Sequence, residues 1–308
     1  MIIQTETAAT RASRVAMAHA AFKSIVLPYP RQNLLMEALE ELRLTGLETK
    51  GEPQDGLRLL APSGSGKTWG AYRYMDWVAA QPGREPGKRP ILYARQNTTG
   101  TRRSLPASIL TAAGDDYSTV GNAETLLKRV YKLFEEEETE LLIVDEINHL
   151  EEKAFGDDAT DTLKAFLDEG KVPVVFLGTH KADDLFKRNK ELNIRLVSPC
   201  SLPPLEWGDD DDRELFVEFA KQLDEAIVNK GILPIKAGLD EVWLAERLRE
   251  ASNGIIGQFC RIVREAVISV VRRNDKAIDY QDLIDAVDNW SIPFGFRTFN
   301  PLTSKPNS

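Results

Sequence analysis

Residues 61–68 read Ala-Pro-Ser-Gly-Ser-Gly-Lys-Thr, directly after the apolar run Leu57–Leu60 and directly before a helical pattern that starts at Lys67. A small-residue loop in that setting, strand before it and helix after it, is a phosphate-binding loop. Pro62 opens the turn, and Ser63, Gly64, Ser65 and Gly66 let backbone N–H groups curve around phosphate oxygens, while the helix that begins there adds its positive end. Lys67 is placed to bridge the β- and γ-phosphates of a bound ATP and Thr68 to offer its hydroxyl to Mg2+. The first glycine of the usual pattern is replaced by Ala61, at a position that mainly requires a small side chain.

A second run supports the first. Leu141-Leu142-Ile143-Val144-Asp145-Glu146 reads as a buried strand ending in two acids. Asp145 is expected to hold the Mg2+ through water, and Glu146 to polarise an attacking water as general base. A third run, Val172–Leu177, leads into Gly178-Thr179-His180, which sets Thr179 where a γ-phosphate or that water would lie.

The near-continuous apolarity of Leu57–Ala61, Ile91–Arg95, Leu141–Asp145, Val172–Thr179 and Leu196–Leu202 predicts strands buried on both faces of a parallel, five-stranded sheet. Helical patterns such as Lys67–Ala80 and Ala123–Glu137 alternate with them, which makes the core α/β. After Pro203-Pro204 the pattern changes, and from Asp209 to Trp290 there are helix signals and no convincing strand. Asp209–Asp212 is suited to cap Arg213–Lys230; Leu239–Glu250, Ile255–Arg273 and Tyr280–Asn289 follow. The expected organisation is a flexible N-terminal segment over 1–22, an α/β core over 23–206, an all-helical lid over 207–290 and a tail over 291–308. The tail, with Phe294, Phe296 and Phe299, could be a partner-binding hook or could fold back on the lid.

The chain has 308 residues and a formal net charge of −9, which excludes a broadly basic nucleic-acid coat. The acidity is local: Glu135–Asp161 holds twelve acids and one lysine, whereas Ile91–Leu110 holds three arginines and no acid. An arginine loop repeated around an oligomer is compatible with that distribution. No apolar run approaches the ~20 residues of a membrane-spanning helix, and the stretch Val15–Leu27, broken by His19 and Lys23, is not expected to be a signal peptide. Cys200 and Cys260, with no CxxC, suit a reducing cytoplasm rather than a zinc site or a disulfide framework.

With these residues in view, the sequence resembles the AAA+ ATPases, and among them the transposition regulators of the TniB and TnsC type. The loop Ala61–Thr68, the Asp145-Glu146 pair, the strand end Leu177-Gly178-Thr179, and Gly254-Ile255-Ile256-Gly257 followed by Arg264-Glu265-Ala266 stand in that family's order. Lys23-Ser24-Ile25-Val26 is similar to its segment beside the adenine, which implies nucleotide contacts from Ile25 and Val26. The resemblance further implies an arginine acting on the γ-phosphate of a neighbouring subunit, for which Arg188 and Arg195 are the candidates. Where many AAA+ proteins carry a second-sensor arginine this chain has Gly257, and its next arginine is Arg261. The DNA-gripping segment of TnsC-like proteins corresponds to Gln96–Arg103, with Thr99, Arg102 and Arg103 as candidate contacts.

The resemblance thus implies an ATP-dependent regulator that oligomerises as a ring or helical filament on double-stranded DNA. It implies recruitment of a transposase and of a TniQ-type target-selection protein, with disassembly on hydrolysis. Two other readings share the core: a helicase loader or replication-initiation ATPase, and a nucleotide-gated scaffold that never touches DNA.

Overall fold

The computed structural model describes residues 7–96, 101–150, 156–169 and 171–303. The chain divides into two compact units, Pro30–Leu202 on one side and Met1–Tyr29 with Pro203–Ser308 on the other.

The unit Pro30–Leu202 is built on four parallel strands, β1 (Gly56–Leu60), β2 (Ile91–Arg95), β3 (Leu141–Asp145) and β4 (Val174–Gly178), in the order β1-β4-β3-β2. Side chains alternate between the two faces, and both faces are covered. Leu142, Val144, Val174 and Phe176 join a core with Leu105, Ile109, Val130, Phe134 and Phe186. Leu141, Ile143, Val175 and Leu177 join a separate one with Leu35, Leu39, Tyr74 and Val78. Helices α2 (Pro30–Glu48) and α3 (Lys67–Ala79) therefore cover one face, and α4 (Ser104–Ala113), α5 (Ala123–Glu136), α6 (Gly156–Asp168) and α7 (Asp183–Arg188) the other. A short helix, α8 (Lys190–Ile194), follows α7.

The expected fifth strand, Leu196–Leu202, is reduced to a single parallel bridge between Leu196 and Gly56. Gly56 N donates to Arg195 O at 2.8 Å, and Val197 N to Gly56 O at 2.8 Å. The next inward donor on such an edge would be residue 199, which is proline and has no N–H, so the ladder stops there.

The other unit is helical. Its core of Phe216, Leu223, Ile227, Leu248, Phe259, Ile262, Val263, Val267 and Leu283 joins α9 (Asp210–Asn229), α10 (Val242–Ala251), α11 (Ile256–Arg273) and α12 (Tyr280–Ala286). Asp209 caps α9 by accepting from Asp212 N at 2.9 Å.

The N-terminal segment expected to be flexible is instead helical, α1 (Ala8–Lys23), and it buries Ala18 and Phe22 in this core. Arg14 donates from Nε to the carbonyl of Val271 at 3.0 Å and from Nη2 to that of Arg272 at 3.4 Å, both in the last turn of α11. The tail also folds back on this unit: Tyr280 Oη donates to Leu302 O at 2.5 Å, Asn300 Nδ2 to Ile284 O at 3.0 Å, and Leu302 is fully buried. Among the described residues no helix is long and apolar enough to cross a membrane.

Candidate functional site

The phosphate-type loop joins the end of β1 to the start of α3. Gly64 and Gly66 adopt left-handed φ values of 87° and 92°, which side-chain-bearing residues rarely reach. Ala61 is buried under the sheet face, and its backbone N donates to Gly178 O at 3.1 Å. Its methyl group belongs to the core, which accounts for the absence of glycine at that position. Lys67 folds over the loop, with Nζ donating to Ala61 O at 2.6 Å and to Pro62 O at 3.0 Å. Burial draws the Lys67 ammonium below the usual lysine range, and the nearby charges of Asp145 and Glu146 oppose that shift.

β3 delivers the two acids. Asp145 is 2% exposed and accepts from three neutral donors: Thr68 Oγ1 at 2.6 Å, Tyr93 Oη at 2.7 Å and Glu146 N at 2.7 Å. A buried carboxylate with hydroxyl and amide partners and no ion pair among the described residues is an oxygen site that a hard cation suits. Burial, and next the hydrogen bond to Asp145, hold the Tyr93 phenol well above its ordinary range. Among the described residues no cluster of three metal-ligating side chains exists. A Mg2+ here would therefore rest on Thr68, Asp145 and the phosphates it accompanies.

Glu146 has a left-handed φ of 60° and its carboxylate lies 3.2 Å from Arg95 Nη2. A non-glycine residue in that region carries backbone strain, here at the turn that leaves β3. Just past β4, Thr179 N donates to Asn148 Oδ1 at 3.3 Å, while its hydroxyl oxygen is buried and makes no hydrogen bond.

The loop, Lys67, Thr68, Asp145, Glu146 and Thr179 thus stand at the C-terminal ends of adjacent strands β1, β4 and β3. The sequence did not single out Tyr93, Arg95 and Asn148. The parallel register sets Arg95 opposite Asp145, and no sequence pattern announces a register.

The remaining candidates are spread out. Arg188, at the end of α7, is 69% exposed and only loosely paired to Asp184 at 3.9 Å. Arg195 is tied to Asp168 and donates to Glu191 O at 2.7 Å. Arg102 and Arg103 are exposed just before α4, with Arg103 Nη2 donating to Thr119 O at 2.9 Å. Thr99 lies outside the described residues. Ile25 packs half-buried in the core of the helical unit and Val26 is exposed there. Arg261 pairs with Glu265 at 2.8 Å and lies over the Trp290 ring.

A family model described as "Bacterial TniB protein" matches residues 19–206, more than half of the chain. This chain belongs to the TniB family. No curated protein matches the sequence. Among solved structures, this TniB chain is similar to the ORC2 protein of Aeropyrum pernix in its ADPNP–ADP complexes, with a TM-score of 0.63 at 14% identity over 87% of this chain and 71% of that one. It is similar to Cdc6p of Pyrobaculum aerophilum, with a TM-score of 0.57 at 12% identity over 88% and 70%. The ORC1 protein of A. pernix in complex with DNA gives a TM-score of 0.58 at 16% identity over 86% and 66%. At these identities the likeness is one of fold: the TniB chain has the AAA+ ATPase fold.

Proposed function

We propose that this TniB protein is a Mg2+-dependent ATPase that assembles on double-stranded DNA as a ring or filament, recruits a transposase and a TniQ-type targeting protein, and is released by hydrolysis. The observation that carries the nucleotide part is the 2.6 Å hydrogen bond from Thr68 Oγ1 to buried Asp145, which joins the phosphate loop to the acid strand. ATP would bring its phosphates to Lys67 and the loop amides, and the Mg2+ accompanying it would neutralise phosphate charge. Glu146 would orient the attacking water, and the buried Thr179 hydroxyl would contact the γ-phosphate or that water. Ile25 and Val26 are proposed to contact the adenine.

Arg188 is the better suited of the two arginines to reach a neighbour's nucleotide, because Arg195 is already committed to Asp168 and to the backbone of α8. Exposed Arg102 and Arg103, together with Thr99, would hold DNA phosphates without reading sequence.

The test is imaging of the protein with duplex DNA in the presence of ATP, a non-hydrolysable analogue, or ADP. Rings or filaments on DNA with the first two and not the third are expected. Oligomers that form with ATP and ignore added duplex overturn the DNA part, and capture of purified transposase only by the ATP-bound assembly supports the recruitment step.

A further inference from the structure

Gln32, in the first turn of α2, is inserted between the phosphate loop and α3. It is 6% exposed, and its Nε2 donates to the carbonyl of Gly66 at 3.0 Å. The slot exists because two residues of the loop and its helix lack side chains. A Cβ at Gly66 would stand 2.3 Å from Gln32 Nε2, and a Cβ at Gly70 would stand 2.3 Å from Gln32 Oε1. Gly70 lies inside a helix, where glycine is less favourable than alanine. The close approach of Gln32, with that of Leu35, accounts for its presence.

The contact bears on the nucleotide. The Gly66 carbonyl accepts from Gly70 N at 2.8 Å as part of the helix, and Gln32 supplies a second donor. With both acceptor directions used, the peptide plane between Gly66 and Lys67 is fixed. In a trans peptide the N–H of Lys67 points opposite to that carbonyl, so fixing one aims the other toward the phosphate side of the loop. From this geometry we infer that Gln32 is a positioning residue, which presets the loop amides for phosphate by holding the Gly66 carbonyl. The inference rests on the nucleotide-binding reading above and adds to it a residue outside the loop.

Calorimetric titration with Mg-ATP tests it, on the full chain, in wild type, Lys67→Ala, Gln32→Leu, Gln32→Ala, Gly70→Ala and the Gln32→Ala/Gly70→Ala double variant, each checked by thermal melting. Gln32→Leu keeps the bulk and removes the donor; it is expected to weaken ATP binding about three- to tenfold with little change in Tm, and to raise KM more than it lowers kcat. Gly70→Ala is expected to weaken binding about tenfold or more by expelling Gln32, and the double variant to bind more tightly than Gly70→Ala alone. Recovery will be partial, because a Cβ at Gly70 also meets Leu35 Cδ2 at 2.7 Å.

Wild-type affinity in Gln32→Leu, or losses that simply multiply in the double variant, overturns the role of Gln32. If Gly70→Ala does not fold, Gln32→Leu alone decides. Wild-type protein that binds no ATP overturns the nucleotide reading as well, whereas binding abolished by Lys67→Ala together with a multiplicative cycle overturns only the assignment of Gln32.

Discussion

Arg95 Nη2 lies 3.2 Å from Glu146 Oε1, an ion pair across the ends of neighbouring strands β2 and β3. It holds the proposed general base with a cation from the strand that leads toward the arginine-bearing segment Gln96–Arg103. Because the Arg95 side chain is 60% exposed and that of Glu146 30%, the pair is worth no more than about 1 kcal/mol. It is a weak restraint, one that substrate binding can overcome.

Arg95→Ala is therefore expected to raise the basal ATPase rate, by at most about fivefold, since 1 kcal/mol corresponds to that factor. Steady-state phosphate release measures it. A rate equal to or below wild type would show that the pair does not restrain Glu146.

Lys67→Ala and Glu146→Gln should separate binding from hydrolysis. The first removes the ammonium proposed to bridge the phosphates and is expected to abolish both ATP binding and assembly on DNA. The second keeps the loop intact and should retain ATP, lower kcat by about 100-fold or more, and leave assemblies that persist. Equal loss of assembly in both variants, followed by light scattering, would argue against hydrolysis as the timer.

Tyr93→Phe takes from Asp145 one of its three donors, at 2.7 Å. The expected results are a stability loss of about 1 kcal/mol and a changed Mg2+ concentration for half-maximal ATPase, because the acid proposed to hold the ion is less well satisfied. A Mg2+ titration superimposable on wild type would remove Tyr93 from the site.

Arg102→Ala combined with Arg103→Ala should weaken DNA binding uniformly across sequences while ATP affinity is kept. The slope of log affinity against log salt should fall by about 2 for every protomer engaged. An unchanged slope in fluorescence anisotropy would take the DNA contact away from this segment.

In the helical unit, Asp282 is 3% exposed and accepts from Arg273 through both oxygens, one of them 2.7 Å from Nη2. Burial raises its carboxyl, but Arg273 and the backbone N–H of Asp279 outweigh that, so it sits below the ordinary aspartate value. A depressed folded-state value contributes stability above the unfolded pKa, about 3.9, and loses it as pH falls through the folded value. Chemical denaturation from pH 6 to pH 2.5 should thus show stability falling below about pH 4. Asp282→Asn should flatten that part of the curve. The same slope in the variant would place the titration elsewhere.

The sequence by itself determined which side chains gather at the strand ends. A small-residue loop closed by Lys67 and Thr68 and an apolar run ending in Asp145-Glu146 can be recognised because each is a local pattern with a local physical reason: amides for phosphate, apolar strands for a buried sheet. The same holds for the cap on α9 and for the helices that lie within residues 210–291.

What depended on contacts between distant segments was decided only in three dimensions. α1 buries Ala18 and Phe22 and offers Arg14 to the end of α11, and none of this is visible in a polar, alanine-rich stretch. The fifth strand failed because Pro199 interrupts an edge whose partner, Gly56, lies far back in the chain. Arg95 and Tyr93 reach the acids through the register of β2 on β3, and Gln32 reaches the phosphate loop through the space left by Gly66 and Gly70. Register and packing of this kind are set by side chains that meet only once the sheet has closed, so tertiary structure alone could disclose them.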